Sequence, residues 1–285
     1  MKHLISISDL TKNDVTQIFK TTDKLKNKKM PLLKDKILAM VFEKPSTRTR
    51  VSFEVAMEHL GGHAINLSHG ETQLVRDESI ADTAKVLSRY VDAIMARVFE
   101  HKTLMELAKY ASVPVINGLS HKEHPCQALA DAYTILKRKG LKGKIVFLGD
   151  GTNNTFNSLV KVCGMFGMDI IVSCPAGYKP KIKGKYKVVE SPKEAVKDAD
   201  VLYTDTFVSM GEEKEIKKRI ADLKGYQLNS SLVKTANNPI VMHPLPAHRS
   251  VEITSDVMDG KNSVVFEQAE NRLHVQKAIL YLLLK

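Results

Sequence analysis

A chain of 285 residues suits two domains of ordinary size. Its composition, 43% hydrophobic and 26% charged with a net charge of +11, is that of a soluble globular protein, not a fibrous or disordered one. The three cysteines, Cys126, Cys163 and Cys174, have neither metal-ligand spacing nor a pairing framework, which argues against a zinc module and a disulfide scaffold.

The first residues, Met1 to Ser6, lack the apolar core of a signal peptide. The longest apolar run near the end, residues 278–284, is too short to span a bilayer. The expectation is a cytoplasmic protein with reduced thiols and no membrane partner. A basic balance raises nucleic acid as a partner. The lysines are scattered through nearly every segment, however, and no RNP-type aromatic motif or zinc finger occurs, so nucleic-acid binding is not expected. An anionic substrate accounts for a few of the positive charges.

Strand and helix patterns alternate along the chain, which predicts an α/β protein with parallel sheets. A helix is predicted over residues 8–28, capped at Ser8 or Thr11. The apolar run Ile37–Phe42 reads as a buried parallel strand. After it come Lys44-Pro45-Ser46-Thr47-Arg48-Thr49-Arg50 and a helical pattern over residues 51–60, closed by Gly61-Gly62. Further strands are expected at residues 64–67, Ala93–Arg97 and residues 113–117, with helices over residues 79–90 and 103–110. A long helix over residues 125–138 ends at Gly140. A second series of strands begins at residues 144–149 and continues at 170–173, Val201–Thr204 and Ile240–Met242. The last pattern, residues 268–284, is an amphipathic helix. The chain thus reads as two doubly wound parallel-sheet domains, joined near residues 136–143.

In open α/β sheets, ligands sit beyond the carboxyl ends of the strands, and the polar motifs fall there. Ser46 to Arg50 packs hydroxyls and two guanidiniums into the first turn of a helix, where free N–H groups and the positive end of the helix dipole favour an anion. Taken alone, Ser46 or Thr47 is an ordinary N-cap with Arg48 and Arg50 solvated; with the segments below, a phosphate site is the better reading. His124-Pro125-Cys126-Gln127 opens the long helix, with Pro125 suited to the first helical position. His124 and Gln127, three apart, can face one point. With Arg97 and the Thr49 hydroxyl they can surround a polarised carbonyl and its amino group.

Gly149-Asp150-Gly151-Thr152-Asn153-Asn154 follows a strand but lacks the third glycine of a dinucleotide fingerprint, and the next strand ends without an acid for a ribose. The asparagines instead offer amide donors. Asp205 follows the strand Val201–Thr204 and can bind an ammonium group, while the Ser209-Met210-Gly211 turn can present N–H groups to a carboxylate. His243-Pro244-Leu245-Pro246 follows the strand Ile240–Met242. Its prolines donate no N–H groups and leave carbonyls as acceptors for an amino group.

These motifs, in this order and over essentially the whole chain, resemble the aspartate/ornithine carbamoyltransferase family. The resemblance implies transfer of the carbamoyl group of carbamoyl phosphate to an amine, with no metal or cofactor. The Asp-x-x-x-Ser-Met-Gly element points to L-ornithine as acceptor and L-citrulline as product, because the aspartate enzymes use a different, arginine-containing loop there. It further implies a carbamoyl phosphate domain over residues 1–138, completed by the C-terminal helix 266–285 packing back on it, and an amino-acid domain over residues 139–265.

Carried over by motif, Ser46, Thr47, Arg48 and Thr49 hold the phosphate, and Arg97 bridges phosphate and carbonyl. His124 and Thr49 polarise the carbonyl oxygen. Gln127 and the backbone carbonyls of Pro244 and Leu245 orient the carbamoyl nitrogen. Arg272 lies near the carbamoyl group, and Gln73 is lent by a neighbouring subunit of a homotrimer or a multiple of trimers. Asn154, Asp205, Ser209 and Met210 bind the amino and carboxylate ends of ornithine. Two positions depart from the family pattern. Pro244 stands where ornithine enzymes usually carry a cysteine, and Val75 stands where a glycine is usual.

Overall fold

The computed structural model describes residues 1–68, 78–209 and 211–285. The chain divides into two units, Met1–Leu129 with Arg272–Lys285, and Ala130–Asn271. The first contains helices α1 (Lys12–Leu25), α2 (Thr47–His59), α3 (Ile80–Tyr90) and α4 (His101–Tyr110). They flank a parallel sheet of β1 (Ile37–Phe42), β2 (His63–Ser68), β3 (Ala93–Arg97) and β4 (Val115–Leu119), in the order β2-β1-β3-β4. The central strands β1 and β3 are apolar and buried at nearly every position, as a parallel sheet covered on both faces requires. Ala84 of α3 and Leu104 and Leu107 of α4 pack with Ala39, Val41, Ile94 and Ala96 into one core. Burying each large apolar side chain contributes about 1.5–3 kcal/mol.

The second unit carries β5 (Lys144–Leu148), β6 (Asp169–Ser173), β7 (Lys187–Val188), β8 (Val201–Thr204) and β9 (Ile240–Met242) in a parallel sheet of order β7-β6-β5-β8-β9. Helix α5 (Pro125–Lys139) begins in the first unit and ends in the second. Around the second sheet run α6 (Asn154–Phe166), α7 (Pro192–Ala195), α8 (Ile216–Leu223), α9 (Ser230–Thr235) and α10 (Ser255–Met258). The last helix, α11 (Val265–Leu284), starts in the second unit and ends in the first. Phe147 of β5 stacks on Tyr203 of β8, ring centroids 5.3 Å apart at 18°, within the core.

Both sheets are doubly wound. The chain leaves β1 for β2 on one side and later returns to β3 on the other; the same reversal places β6 and β8 on opposite sides of β5. Each reversal opens a crevice at the carboxyl ends of the two central strands, the usual ligand position in such sheets. Among the described residues, no helix is long and apolar enough to cross a membrane.

Some boundaries differ from the sequence reading. The first helix starts at Lys12 because Thr11 forms a capping box with Asp14; Ser6 caps a separate 3-10 turn, Ile7–Asp9. The strand expected at residues 113–117 forms at Val115–Leu119, because Pro114 has no N–H for a ladder. Helix α11 begins three residues before Gln268.

Candidate functional site

In the first unit the crevice between β1 and β3 is built from the two strand ends and two helix starts. Ser46 caps α2: its Oγ accepts the Thr49 N–H at 3.4 Å, and the Ser46 and Thr49 hydroxyls lie 3.0 Å apart in a hydrogen bond. The ordinary capping role and the anion reading therefore coexist at one residue. Thr49 is fully buried, and its Oγ1 accepts from Arg272 Nη2 at 2.6 Å and, at a longer 3.4 Å, from Arg97 Nη1. Arg272 Nη1 also donates to Gln127 Oε1 at 3.2 Å. His124 and Gln127, at the start of α5, are both buried. Thr47 is exposed and Arg48 half-buried at the helix start. Of the two guanidiniums in the motif, only Arg48 belongs to this cluster. Arg50 is exposed and turns along the helix to Glu54, its Nε 2.8 Å from the carboxylate.

The charge in this cluster has one sign. Burial, then Arg272 and Arg48, together lower the Arg97 pKa to about 10. Arg97 is still fully charged at neutral pH, and its buried Nε has no hydrogen-bond partner among the described residues. Burial, then Arg272 and Arg97, hold His124 well below the usual histidine range, so its imidazole is neutral. Guanidiniums gathered over a helix N-terminus, with a buried donor left over, form a receptor for a compact anion. Beside it, neutral His124, Thr49 and Gln127 can supply hydrogen bonds to a carbonyl group.

The second unit places its polar loops at the crevice between β5 and β8. Gly149 follows β5 with φ +115°, and a Cβ there would lie 2.8 Å from the Phe207 ring. The glycine lets Phe207 pack under the loop, a structural duty unrelated to nucleotides. Asn153, which caps α6, accepts the Thr155 and Phe156 N–H groups and reaches Ser209 Oγ at 3.4 Å. Asn154 is the first residue of the helix. Asp205, at the end of β8, accepts the Thr206 N–H at 2.7 Å. Burial pushes its carboxyl up, while His243, the Thr206 N–H and the Asn153 and Thr155 side chains pull it down.

The Ser209 N–H, expected to meet a ligand carboxylate, donates instead to Glu212 Oε2 at 2.8 Å. Glu212 in turn pairs at 3.0 Å with the buried Arg219, which is tied to Asp150 and donates to the Phe207 carbonyl at 2.9 Å. After β9, Leu245 has φ +60° and its peptide bond to Pro246 is cis. Among the described residues, neither the Pro244 nor the Leu245 carbonyl accepts a hydrogen bond. Gln73, Val75 and Met210 lie outside the described residues.

The structure thus gathers Ser46, Thr47, Arg48, Thr49, Arg97, His124, Gln127 and Arg272 in the first unit. In the second it brings Asp205 and Ser209 together through Asn153, with Asn154 following that cap. Asn153 was read from the sequence only as an amide donor beside Asn154; its place next to Asp205, with Thr155, and Arg219 and Glu212 behind the Ser209 turn, were not expected. Long-range ion pairs such as those of Arg219 leave no sequence signal.

An anion receptor beside hydrogen-bond donors for a carbonyl, in a protein with two doubly wound units, fits a group transferase acting on a phosphorylated carbonyl compound. Comparison with known proteins makes the class specific. Residues 2–137 match the family model described as aspartate/ornithine carbamoyltransferase, carbamoyl-P binding domain, and residues 141–283 match the Asp/Orn binding domain of the same family. An ornithine carbamoyltransferase of Pyrococcus abyssi is 52% identical, over 99% of this chain and 96% of that protein. One of Archaeoglobus fulgidus is 50% identical, over 100% and 98%. The solved structure of the Pyrococcus furiosus ornithine carbamoyltransferase superposes with a TM-score of 0.95 at 51% identity, covering 99% of this chain and 97% of that one. The chain belongs to the aspartate/ornithine carbamoyltransferase family.

Proposed function

We propose that the chain transfers the carbamoyl group of carbamoyl phosphate to the side-chain amine of L-ornithine, giving L-citrulline and phosphate. The observation that carries this is the convergence of Arg97 and Arg272 on the buried Thr49 hydroxyl at the α2 N-terminus. The phosphate takes Ser46, Thr47, Arg48 and the free N–H groups of the first turn. Arg97 bridges phosphate and carbonyl, and Thr49, His124 and Arg272 meet the oxygen that becomes an oxyanion. Gln127 and the Pro244 and Leu245 carbonyls receive the carbamoyl NH2.

The neutral amine of ornithine forms a C–N bond to the carbonyl carbon. The C–O bond to phosphate then breaks, and the amine's extra proton passes to the departing phosphate. Most of the rate comes from positioning and from donors set in advance for the oxyanion. Asp205 takes the α-ammonium group, while Asn154, Ser209 and Met210 take the carboxylate end. In this reading residues 1–138 with 266–285 form the carbamoyl phosphate domain and residues 139–265 the ornithine domain. The enzyme is a cytoplasmic homotrimer or multiple of trimers, with Gln73 lent between subunits; three free, buried thiols are in keeping with a reducing compartment.

The test is citrulline formation from carbamoyl phosphate and L-ornithine, with L-aspartate, putrescine and L-lysine in parallel. Turnover with ornithine alone is expected, since Asp205 repels the side-chain carboxylate of aspartate and putrescine lacks the carboxylate. Turnover with another amine alone would overturn the acceptor assignment, and no turnover with any would overturn the catalytic one. The pH profile gives a second check. A lysine-like amine with pKa about 10.4 is tenfold more deprotonated for each pH unit gained below that value. Because His124 is depressed and already neutral, log kcat/KM for the acceptor is expected to rise with slope near one from about pH 7 to 9. An inflection near 6.5 followed by a plateau would show that an ordinary histidine controls the step.

A further inference from the structure

We propose that Gln268, held from behind by Asp131, is a positioning residue that sets the His243–Leu245 backbone and so lets the protein select a carbamoyl over an acetyl group. The inference rests on the reading of the Pro244 and Leu245 carbonyls as acceptors for the carbamoyl NH2. Gln268 lies on α11, is fully buried, and has its amide engaged at both ends. Its Oε1 accepts the His243 N–H at 2.9 Å. Its Nε2 donates to Asp131 Oδ1 at 2.7 Å and to the Tyr203 hydroxyl at 3.2 Å. Asp131, also fully buried, accepts the Tyr203 hydroxyl on its other oxygen at 2.8 Å. With a carboxylate on one side and a peptide N–H on the other, the amide has one workable orientation. It therefore transmits the place of α5 and β8 to the first residue of the loop.

From there the loop is pinned by its own residues. The His243 Nδ1 accepts the Leu245 N–H at 2.9 Å, so the ring proton lies on Nε2 and points to Glu252 Oε1 at 3.2 Å. Glu252, fully buried, also accepts the His248 N–H. The N–H groups of residues 243, 245 and 248 thus end on side chains, and residues 244 and 246 have none to offer. Over residues 243–246 the backbone is left with carbonyls as its outward chemistry, and Leu245 is held in the left-handed region. A non-glycine residue keeps that conformation only when its surroundings over-determine it. Losing the Gln268 anchor leaves His243 N–H buried without an acceptor, so the loop shifts and the two carbonyls move.

A site that hydrogen-bonds an NH2 group rejects an analogue lacking it. The probe is therefore acetyl phosphate, which replaces the carbamoyl NH2 by a methyl group. In the wild-type protein its inhibition constant is compared with the KM of carbamoyl phosphate, and inorganic phosphate is measured as a control for the anion site. Gln268→Met, nearly isosteric, is expected to lower the acetyl-to-carbamoyl discrimination about tenfold, the loss of one aligned hydrogen bond, with inhibition by inorganic phosphate changed less than about twofold. Asp131→Asn, which acts through Gln268, is expected to shift the ratio in the same direction by less. If Gln268→Met does not fold, Asp131→Asn decides. An unchanged ratio in a folded variant overturns the positioning role and leaves the loop assignment standing. A wild-type protein that does not discriminate overturns both, starting with the assignment of Pro244 and Leu245.

Discussion

Replacing Arg97 with methionine is expected to lower kcat/KM for carbamoyl phosphate about 10³-fold, or about 4 kcal/mol, while raising the melting temperature of the ligand-free protein. The first effect follows from the proposed role of Arg97 as a donor bridging phosphate and carbonyl. The second follows from the charge around it. Arg97 is a largely buried cation with a leftover donor, and its charged neighbours Arg272 and Arg48 carry the same sign. A buried charge without a partner is often replaced by an apolar side chain at a gain in stability. A gain of about 1 kcal/mol raises the melting temperature by roughly 2–4 °C in a domain of 150–250 residues. The ligand linkage runs the other way. Phosphate or carbamoyl phosphate at a hundred times its Kd stabilises a binding protein by about 2.7 kcal/mol, and most of that shift is expected to vanish in the variant. Thermal unfolding with and without carbamoyl phosphate, beside steady-state kinetics, separates the cases. A melting temperature that falls together with activity would make Arg97 a structural residue and remove the main support for the anion site.

Asp205→Asn is expected to raise the KM for the amino-acid acceptor about 10²–10³-fold, with carbamoyl phosphate binding unchanged. The figure corresponds to breaking a desolvated ion pair by removing one partner, roughly 3–5 kcal/mol. The shape of the site should persist, because the Thr206 N–H, Asn153 and Thr155 that contact the carboxylate can meet an amide oxygen as well. The wild-type pH dependence carries a matching sign. Burial raises the Asp205 carboxyl above the ordinary carboxylate value, so its negative charge is lost as pH falls through that raised value, earlier than for an exposed aspartate. Acceptor affinity is therefore expected to weaken on the acid side in the wild type and to lose that dependence in Asp205→Asn. Acceptor KM measured across the acid range in both proteins tests this, and a wild-type acid limb that persists in the variant would assign the effect elsewhere.

The fold was legible where the chemistry is local. Runs such as Ile37–Phe42, Ala93–Arg97 and Ile240–Met242 are short and apolar, as buried parallel strands are, and their bounds match the structure. The short edge strand Lys187–Val188 was invisible, because its residues are exposed and carry no period. In the site, motifs at strand ends could be read because such positions are where parallel sheets bind ligands. The Arg50 side chain could not be placed: spacing alone does not tell a guanidinium facing the site from one reaching Glu54. Nor could Gln268, whose partners Asp131, Tyr203 and His243 lie far from it in sequence. A glutamine in the polar stretch Glu267–Arg272 of a terminal helix gives no sign of burial, and only the folded chain supplies its partners.

The thiols of this protein also bear on its chemistry. Cys126, Cys163 and Cys174 are all fully buried, and burial pushes the first up to about 12 and the last to about 11, with Cys163 raised as well. Position 244 is proline, and residues 243–249 carry no thiol. Thiolates are what oxidants and electrophiles attack, and this protein presents almost none at neutral pH. The proposed site is built from guanidiniums, hydroxyls, amides and backbone carbonyls, so carbamoyl transfer is expected to survive treatment of the folded protein with a thiol-alkylating reagent.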